Sequence, residues 1–490
     1  MSLISPPRFG KKAGLALRVG LGVAVLAALG WLLFGGQDFG APVVRLQTPV
    51  EVVGVKTPIT LEAVGGGSGL SEVKVTFTQD GQEKVVLEKK FPPGGAPGEK
   101  VVLPLVLEPK VLGFKEGKAT LTARVRDRSW RQMFKGPTTA LSQEVTIDLV
   151  PLNVAFQEMS HLLRAGGTGV IAYRLNKPAK ESGVLVGGQF YRGYANPRGG
   201  QGEYVVLFPV PQEGPPSLTV ELLARSGPGQ ETKQRVELKI KPRKWRQDKI
   251  TLQDNFLRKV AATLPGSNPG DLLGNYLGVN REMRRKNHER FRQVCSQSSP
   301  TPRWTGAFER FPGKRMAGFG DRRTYIYQNK LVDQEVHLGV DLASLVNSPV
   351  RAANNGVVVL AEPVGIYGNT VMLDHGLGVF SGYSHLSQIN VKVGDQVEKG
   401  AVLGKTGTTG LAGGDHLHFD IALQGEFVDP LEWWDAHWLK DQAEKVWAKA
   451  GTAAGTAASA EVAVPAKEGP GKKKAAKAGQ AKKDKGKKRS

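Results

Sequence analysis

Between Val43 and about Val150 apolar and polar residues alternate in short runs: VEVVGV, ITLEA, EVKVTFT, KVVLEK, KVVLPLVL, ATLTARVRD and EVTIDLV. In EVKVTFT, Val73, Val75 and Phe77 fall on one face and Glu72, Lys74, Thr76 and Thr78 on the other, the pattern of a strand with one buried side. Asp80-Gly81 between two such runs is a hairpin signal. About seven strands in roughly a hundred residues predict an immunoglobulin-like β-sandwich over 43–150. A second unit, 151–245, repeats the style with GVIAYRL, GVLVGG, EYVVLFPV, LTVELLA and RVELKI, and predicts a second sandwich of the same kind. Neither unit concentrates reactive side chains, so both are expected to serve as spacers or as docking sites for partners.

The period changes near residue 249. Phe256, Val260, Ala261 and Leu264 recur at helical spacing, and DLLGNYLGVNREMRRKNHERFRQV predicts a longer helix with its basic residues outward. His288, among Arg and Lys, reads as a surface residue. The 249–300 stretch is thus a helical connector, or a lid over the C-terminal unit. From 302 to 440 short strands return in EVHLGVDLA, GVVVLAE, TVMLDHG, VFSGYSHL and HLHFDIAL. Residues 448–490 turn to Ala, Gly and Lys without the aromatic and branched side chains a core requires, which predicts a disordered tail.

At the other end Arg8, Lys11 and Lys12 precede Ala13 to Phe34, nearly all apolar or Gly apart from Arg18. At about 1.5 Å per residue this segment covers a hydrocarbon core of roughly 30 Å. Residues 13–36 therefore read as a transmembrane signal anchor in the cell membrane, with 1–12 as a basic cytoplasmic segment and everything after it on the outer side. A cleaved signal peptide is the alternative, and it exports the domains equally. The formal charge of +22 is concentrated in part at the tail, where ten lysines and Arg489 follow Val464 against only Glu468 and Asp484. With no reading motif on a folded face, no nucleic-acid partner is expected. Cys295 is the only cysteine. It excludes an intrachain disulfide and a four-cysteine zinc site, and reads as an inert thiol.

Five of the eight histidines, His337, His375, His385, His416 and His418, fall in one short segment. In a strand, HLHF sends His416 and His418 to one face and Leu417 and Phe419 to the other. Either both histidines bind a metal, or one binds while its neighbour handles protons. His337 and Asp341 are four residues apart, about 13 Å on a straight strand, so the chain must bend between them to share an ion. Gly339 permits that bend. His385, in GYSHL, ends another strand-like run. His375 in LDHG reads as a turn or sheet residue. Tyr383 and Asn369 are candidates for groove lining or packing, and Asp429-Pro430 with Trp433 and Trp434 for closing the fold. His161 and His437 lie outside the pattern.

HLGVD, GYSHL and HLHF, in that order and spacing, with Gly-rich turns such as VGIYGNTVMLDHG between them, resemble the lysostaphin and LytM type of zinc endopeptidases over about residues 317–435. The resemblance implies a compact antiparallel β-sheet with Zn2+ in an open groove. It carries metal ligands onto His337, Asp341 and His418, and catalytic histidines onto His385 and His416. No position departs from the pattern, which argues against members that have lost zinc. The implied activity is hydrolysis of peptide crosslinks in cell-wall peptidoglycan, such as a D-alanyl to diaminopimelate bond or a glycine bridge. The rival readings are a non-hydrolytic scaffold that activates another murein hydrolase, and a wall-binding adhesion module built on the two sandwiches.

Overall fold

The computed structural model describes residues 41–452, apart from 68, 93–95, 97, 129–137, 228–229, 263–267 and 269. The expected membrane anchor at 13–36, the basic segment before it and nearly all of the expected tail lie outside the described residues. Among the described residues no helix is long and apolar enough to cross a membrane.

The chain is mainly β. In the first unit a three-stranded sheet (Val43–Leu46, Thr57–Val64, Lys100–Leu107) faces a five-stranded one (Val52–Val53, Thr138–Ile147, Gly117–Asp127, Leu70–Gln79, Gln82–Lys90). Val73, Val75 and Phe77 point into the core between them, as their alternation predicts. Asp80 and Gly81 make the hairpin turn with φ of 49° and 79°, a left-handed pair that Asp tolerates and Gly adopts freely.

The second unit pairs a five-stranded sheet (Leu163–Arg164, Gln230–Lys241, Ser217–Gly227, Glu181–Val186, Gln189–Arg192) with a four-stranded one (Tyr194–Ala195, Glu203–Pro209, Thr168–Leu175, Val154–Met159). The four-stranded sheet is apolar on both faces. Ile171, Tyr173, Val206 and Phe208 face the sandwich core, whereas Val170, Ala172, Val205 and Leu207 join the core of the C-terminal unit. Burial of each such Val or Leu contributes roughly 1.5–3 kcal/mol, so this sheet fastens the second unit to the third. Polar groups close the same seam: Trp433 Nε1 donates to Thr168 Oγ1 at 3.1 Å, and Thr168 N donates to Glu432 Oε2 at 2.7 Å.

The C-terminal unit is built on a long antiparallel sheet. Its order is Lys314–Ala317, Val340–Ala343, Leu417–Leu423, Val379–Leu386, Asn369–Gly376, Gly356–Pro363 and Gln396–Val397, with Glu426–Val428 added beside Leu417–Leu423. A separate three-stranded sheet lies over it. There Gln247–Thr251 runs parallel to Arg322–Tyr327, which pairs antiparallel with Lys330–Val336. Residues 249–251 are therefore strand, although their position in sequence suggested the start of a helical connector. They are held by backbone pairing to residues some seventy positions away, which local periodicity does not encode.

Helices come next at Asp254–Ala262, Leu272–Leu277 and Arg284–Val294, the last two joined by a π-helical turn at Gly278–Met283. The basic side is not simply solvated: Arg281 pairs with Asp333, Arg290 with Glu362 and Arg292 with Glu426. His288 corrects the sequence expectation. It is partly buried, lies 3.1 Å from the Tyr367 hydroxyl and packs on Phe427, and burial lowers its pKa to about 4. It belongs to the inward stripe that includes Asn287, Phe291 and Cys295. At the C-terminal end helix continues to Thr452, with Val446 and Trp447 buried, so the fold extends beyond residue 448, where the tail was expected to begin.

Candidate metal centre

Three adjacent strands assemble the site. Asp341 and His418 are directly opposite each other across one antiparallel pair, and His418 is opposite Ser384 across the next, which places His385 beside it. His337 comes just after the strand Lys330–Val336, and the chain turns before Val340–Ala343, so His337 and Asp341 converge despite their spacing. Gly339 lies at that turn. Its more stringent role is steric: a Cβ there would stand 2.5 Å from His418 Nε2.

His337 Nε2, Asp341 Oδ1 and His418 Nδ1 lie 2.9–3.1 Å from one another. Four-coordinate zinc with donors at about 2.05 Å separates them by roughly 3.3 Å, so this spacing fits donors that share one ion. The proton inventory agrees. His337 Nδ1 is 2.9 Å from the Gly318 carbonyl, which can only accept, so the ring proton sits there. With the proton on Nδ1, Nε2 presents a lone pair to a carboxylate oxygen and to a second imidazole. A cation between them turns that repulsion into binding.

The remaining histidines are oriented in the same way. His385 Nδ1 donates to the Thr409 carbonyl at 2.8 Å, and His416 Nδ1 to the Gly414 carbonyl at 2.8 Å. Both rings thereby keep Nε2 available, and that of His416 is 3.6 Å from Asp341 Oδ1. The two rings are 4.8 Å apart. His385 holds a φ of 64°, a conformation uncommon for a residue with a side chain and frequent at functional sites.

The electrostatics of the site come from burial and from one carboxylate. Burial lowers the pKa of His418 to about 4 and that of His385 to about 3, so both are neutral at physiological pH. Burial alone would raise Asp341, but the imidazoles around it, His337 foremost and then His416 and His418, hold it well below the usual carboxylate range. For His416 burial is outweighed by Asp341, and its pKa is raised. The site therefore offers one ionised carboxylate beside two imidazole donors, a set that fits a metal ion.

All five residues line a cavity of about 390 Å³, walled on the far side by Ile250, Phe256, Tyr276 and Tyr325. Two further groups touch the cluster. Arg323 donates to Asp341 Oδ2 at 3.0 Å. Asp420 lies fully buried with Oδ2 3.8 Å from His418 Nε2, and burial raises its pKa to about 8. Asp420 was findable, because a period of two carries 416 and 418 on to 420. Arg323 had no sequence signal.

Other candidates lie elsewhere. His375 is fully buried in the sheet between Asn355 O and Ser381 Oγ. Tyr383 is buried, its hydroxyl accepting from Ala353 N, and Asn369 donates to the Leu386 carbonyl. Asp429 caps the helix Pro430–Trp434, with Trp433 wholly buried behind it. Cys295 is buried, and burial raises its thiol pKa well above normal. His161 and His437 are exposed, away from the cluster.

Residues 335–430 match the model of Peptidase family M23, a stretch that contains all five residues. DD-carboxypeptidase/endopeptidase Mpg of Neisseria meningitidis serogroup B is 40% identical over 96 residues, 20% of this chain and 22% of that protein. Peptidoglycan DD-endopeptidase ShyA of Vibrio cholerae serotype O1 is 32% identical over 130 residues, 26% of this chain and 30% of that protein. Among solved structures, the catalytic domain of the antimicrobial peptidase lysostaphin from Staphylococcus simulans is 32% identical over 25% of this chain and 92% of that one, with a TM-score of 0.22. The matched region thus spans less than a third of the length of these two curated relatives.

Proposed function

We propose that this chain, in which residues 335–430 form a Peptidase family M23 domain, is a zinc-dependent endopeptidase that hydrolyses peptide crosslinks of peptidoglycan. The observation that carries this reading is the cluster of His337, Asp341 and His418 with two further histidines opening on the same cavity. His337, Asp341 and His418 hold the ion. Zinc there supplies a Lewis acid that acidifies water and polarises the scissile carbonyl.

The chain's own groups manage the proton. His416 and His385 face the reacting centre with Nε2, their tautomers fixed by the Gly414 and Thr409 carbonyls. His416, made more basic by Asp341 in spite of its burial, accepts the proton of the attacking water. His385, kept neutral by burial, orients the attacking water by accepting its other hydrogen at Nε2, and His416 returns the proton it took to the leaving amine. Phe256, Tyr276 and Tyr325 wall the cavity and limit bulk water.

The bond that the motif resemblance favours is a crosslink such as D-alanyl to diaminopimelate, in keeping with the DD-endopeptidase names of the relatives. The two N-terminal sandwiches, immunoglobulin-like in their facing sheets, serve to space the domain from the membrane and to meet wall or protein partners. Residues 13–36 anchor the chain in the cell membrane with the catalytic unit on the outer side. Incubation of purified sacculi with the purified chain, with and without a chelator, tests the reading. New peptide amino termini are expected only without chelator, and their absence under every metal condition would reject it.

A further inference from the structure

Arg323 lies outside the matched family region, on the central strand of the small sheet that roofs the site. Its backbone is fixed from both sides, opposite Asp248 on one neighbour and Glu335 on the other. The side chain is mostly buried and enters the cavity, where Nη2 meets Asp341 Oδ2 at 3.0 Å. Oδ1 of the same carboxylate meets His337 and His418 at 3.0 and 2.9 Å. The two oxygens are thus divided between different partners. A guanidinium cannot release its proton, so its hold on Oδ2 persists at every working pH.

We propose that Arg323 is a positioning residue of the metal centre, which occupies Asp341 Oδ2 and leaves Oδ1 as the one carboxylate oxygen presented to the ion. The proposal rests on the metal reading of the preceding section. Its physical consequence is twofold. A carboxylate with one oxygen engaged elsewhere would offer the ion the other alone, which would leave room at the ion for water and the scissile carbonyl. The guanidinium charge also draws negative charge away from the donor, so more of the ion's charge acts on those two ligands. The family-type strands supply the donors, and an element before them in the chain governs how one donor is used.

The test uses the full chain loaded with Co(II), whose visible absorption falls several-fold when a four-coordinate site gains a fifth ligand. Arg323→Met and Arg323→Gln are compared with the unaltered protein. Expected are a weaker visible band in both variants and a kcat about 10- to 100-fold lower at metal saturation with KM retained. A folded variant with an unchanged band overturns the proposal, as does a raised KM with an unchanged band, which makes Arg323 a substrate contact. If one variant does not fold, the other decides alone. Failure of the unaltered protein to bind Co(II) at all removes the metal reading itself, a result distinct from an unchanged band.

Discussion

His375 and His418 lie on strands of the same sheet, 0% and 5% exposed, and burial lowers each pKa to about 4. By burial and by acidity they are equivalent. They differ in what their nitrogens do. His375 is spent, with Nδ1 2.6 Å from the Asn355 carbonyl and Nε2 2.7 Å from Ser381 Oγ. His418 turns Nδ1 toward a carboxylate and a second imidazole, and its Nε2 has no hydrogen-bond partner among the described residues. A buried histidine with both nitrogens satisfied is structure. One whose lone pair converges with other donors is built for something the chain itself does not supply.

The largest contrast comes from deleting each ring. His418→Ala is expected to reduce bound zinc from one per chain to near none and crosslink hydrolysis to background, while His375→Ala keeps its metal; elemental analysis of both variants reads this directly. Equal metal loss in the two variants would erase the distinction between them. Next come His385→Ala and His416→Ala, which should lower kcat by about 10²- to 10⁴-fold with zinc content preserved. Loss of metal in either would move that residue from proton handling to ligation.

On stability the order reverses. His375→Ala leaves the Asn355 carbonyl and Ser381 without a buried partner and opens a small void, a cost of about 2–4 kcal/mol in thermal unfolding, with hydrolysis by the folded fraction retained. His375 also imposes an acid dependence. The unfolded ring takes up a proton below about 6.5 that the folded ring refuses until about 4. Stability is therefore complete above 6.5 and falls as pH drops toward 4, by up to about 3 kcal/mol from this residue.

Glu432 acts in the opposite sense. Burial raises its pKa to about 8, so the folded chain keeps a proton that the unfolded chain releases above about 4.5. Stability from this group is present below 4.5 and is lost as pH rises through 8. Glu432→Gln keeps an acceptor for Thr168 N and should raise the melting temperature at pH 8 while leaving it little changed at pH 4. An equal shift at both pH values would show that burial of the carboxylate is not the cause.

Much of the site was legible because its chemistry sits on strands. The two-residue period put His416 and His418 together, and the distance between His337 and Asp341 demanded the turn that Gly339 allows. The apolar run in GVIAYRL reads only as another sandwich strand, whereas Thr168–Leu175 is buried on both faces because it also packs on the C-terminal unit. What stayed hidden depends on contacts between distant segments. Gln247–Thr251 is a polar stretch that becomes strand only by pairing with Arg322–Tyr327, and Arg323 reaches Asp341 only because that sheet roofs the cavity. His288 misled through its basic neighbours, although its spacing to Phe291 and Cys295 places it on the inward stripe.

The proposed chemistry requires an ion held by His337, Asp341 and His418 before a peptide crosslink can be cut. To test this, the chain is stripped of metal, zinc is titrated back, and cleavage of purified crosslinked peptidoglycan fragments is followed by mass spectrometry. Cleavage at the crosslink is predicted to be absent at the start and to rise to a plateau at one zinc per chain. Cleavage by the stripped chain, or none at any zinc level, would contradict it.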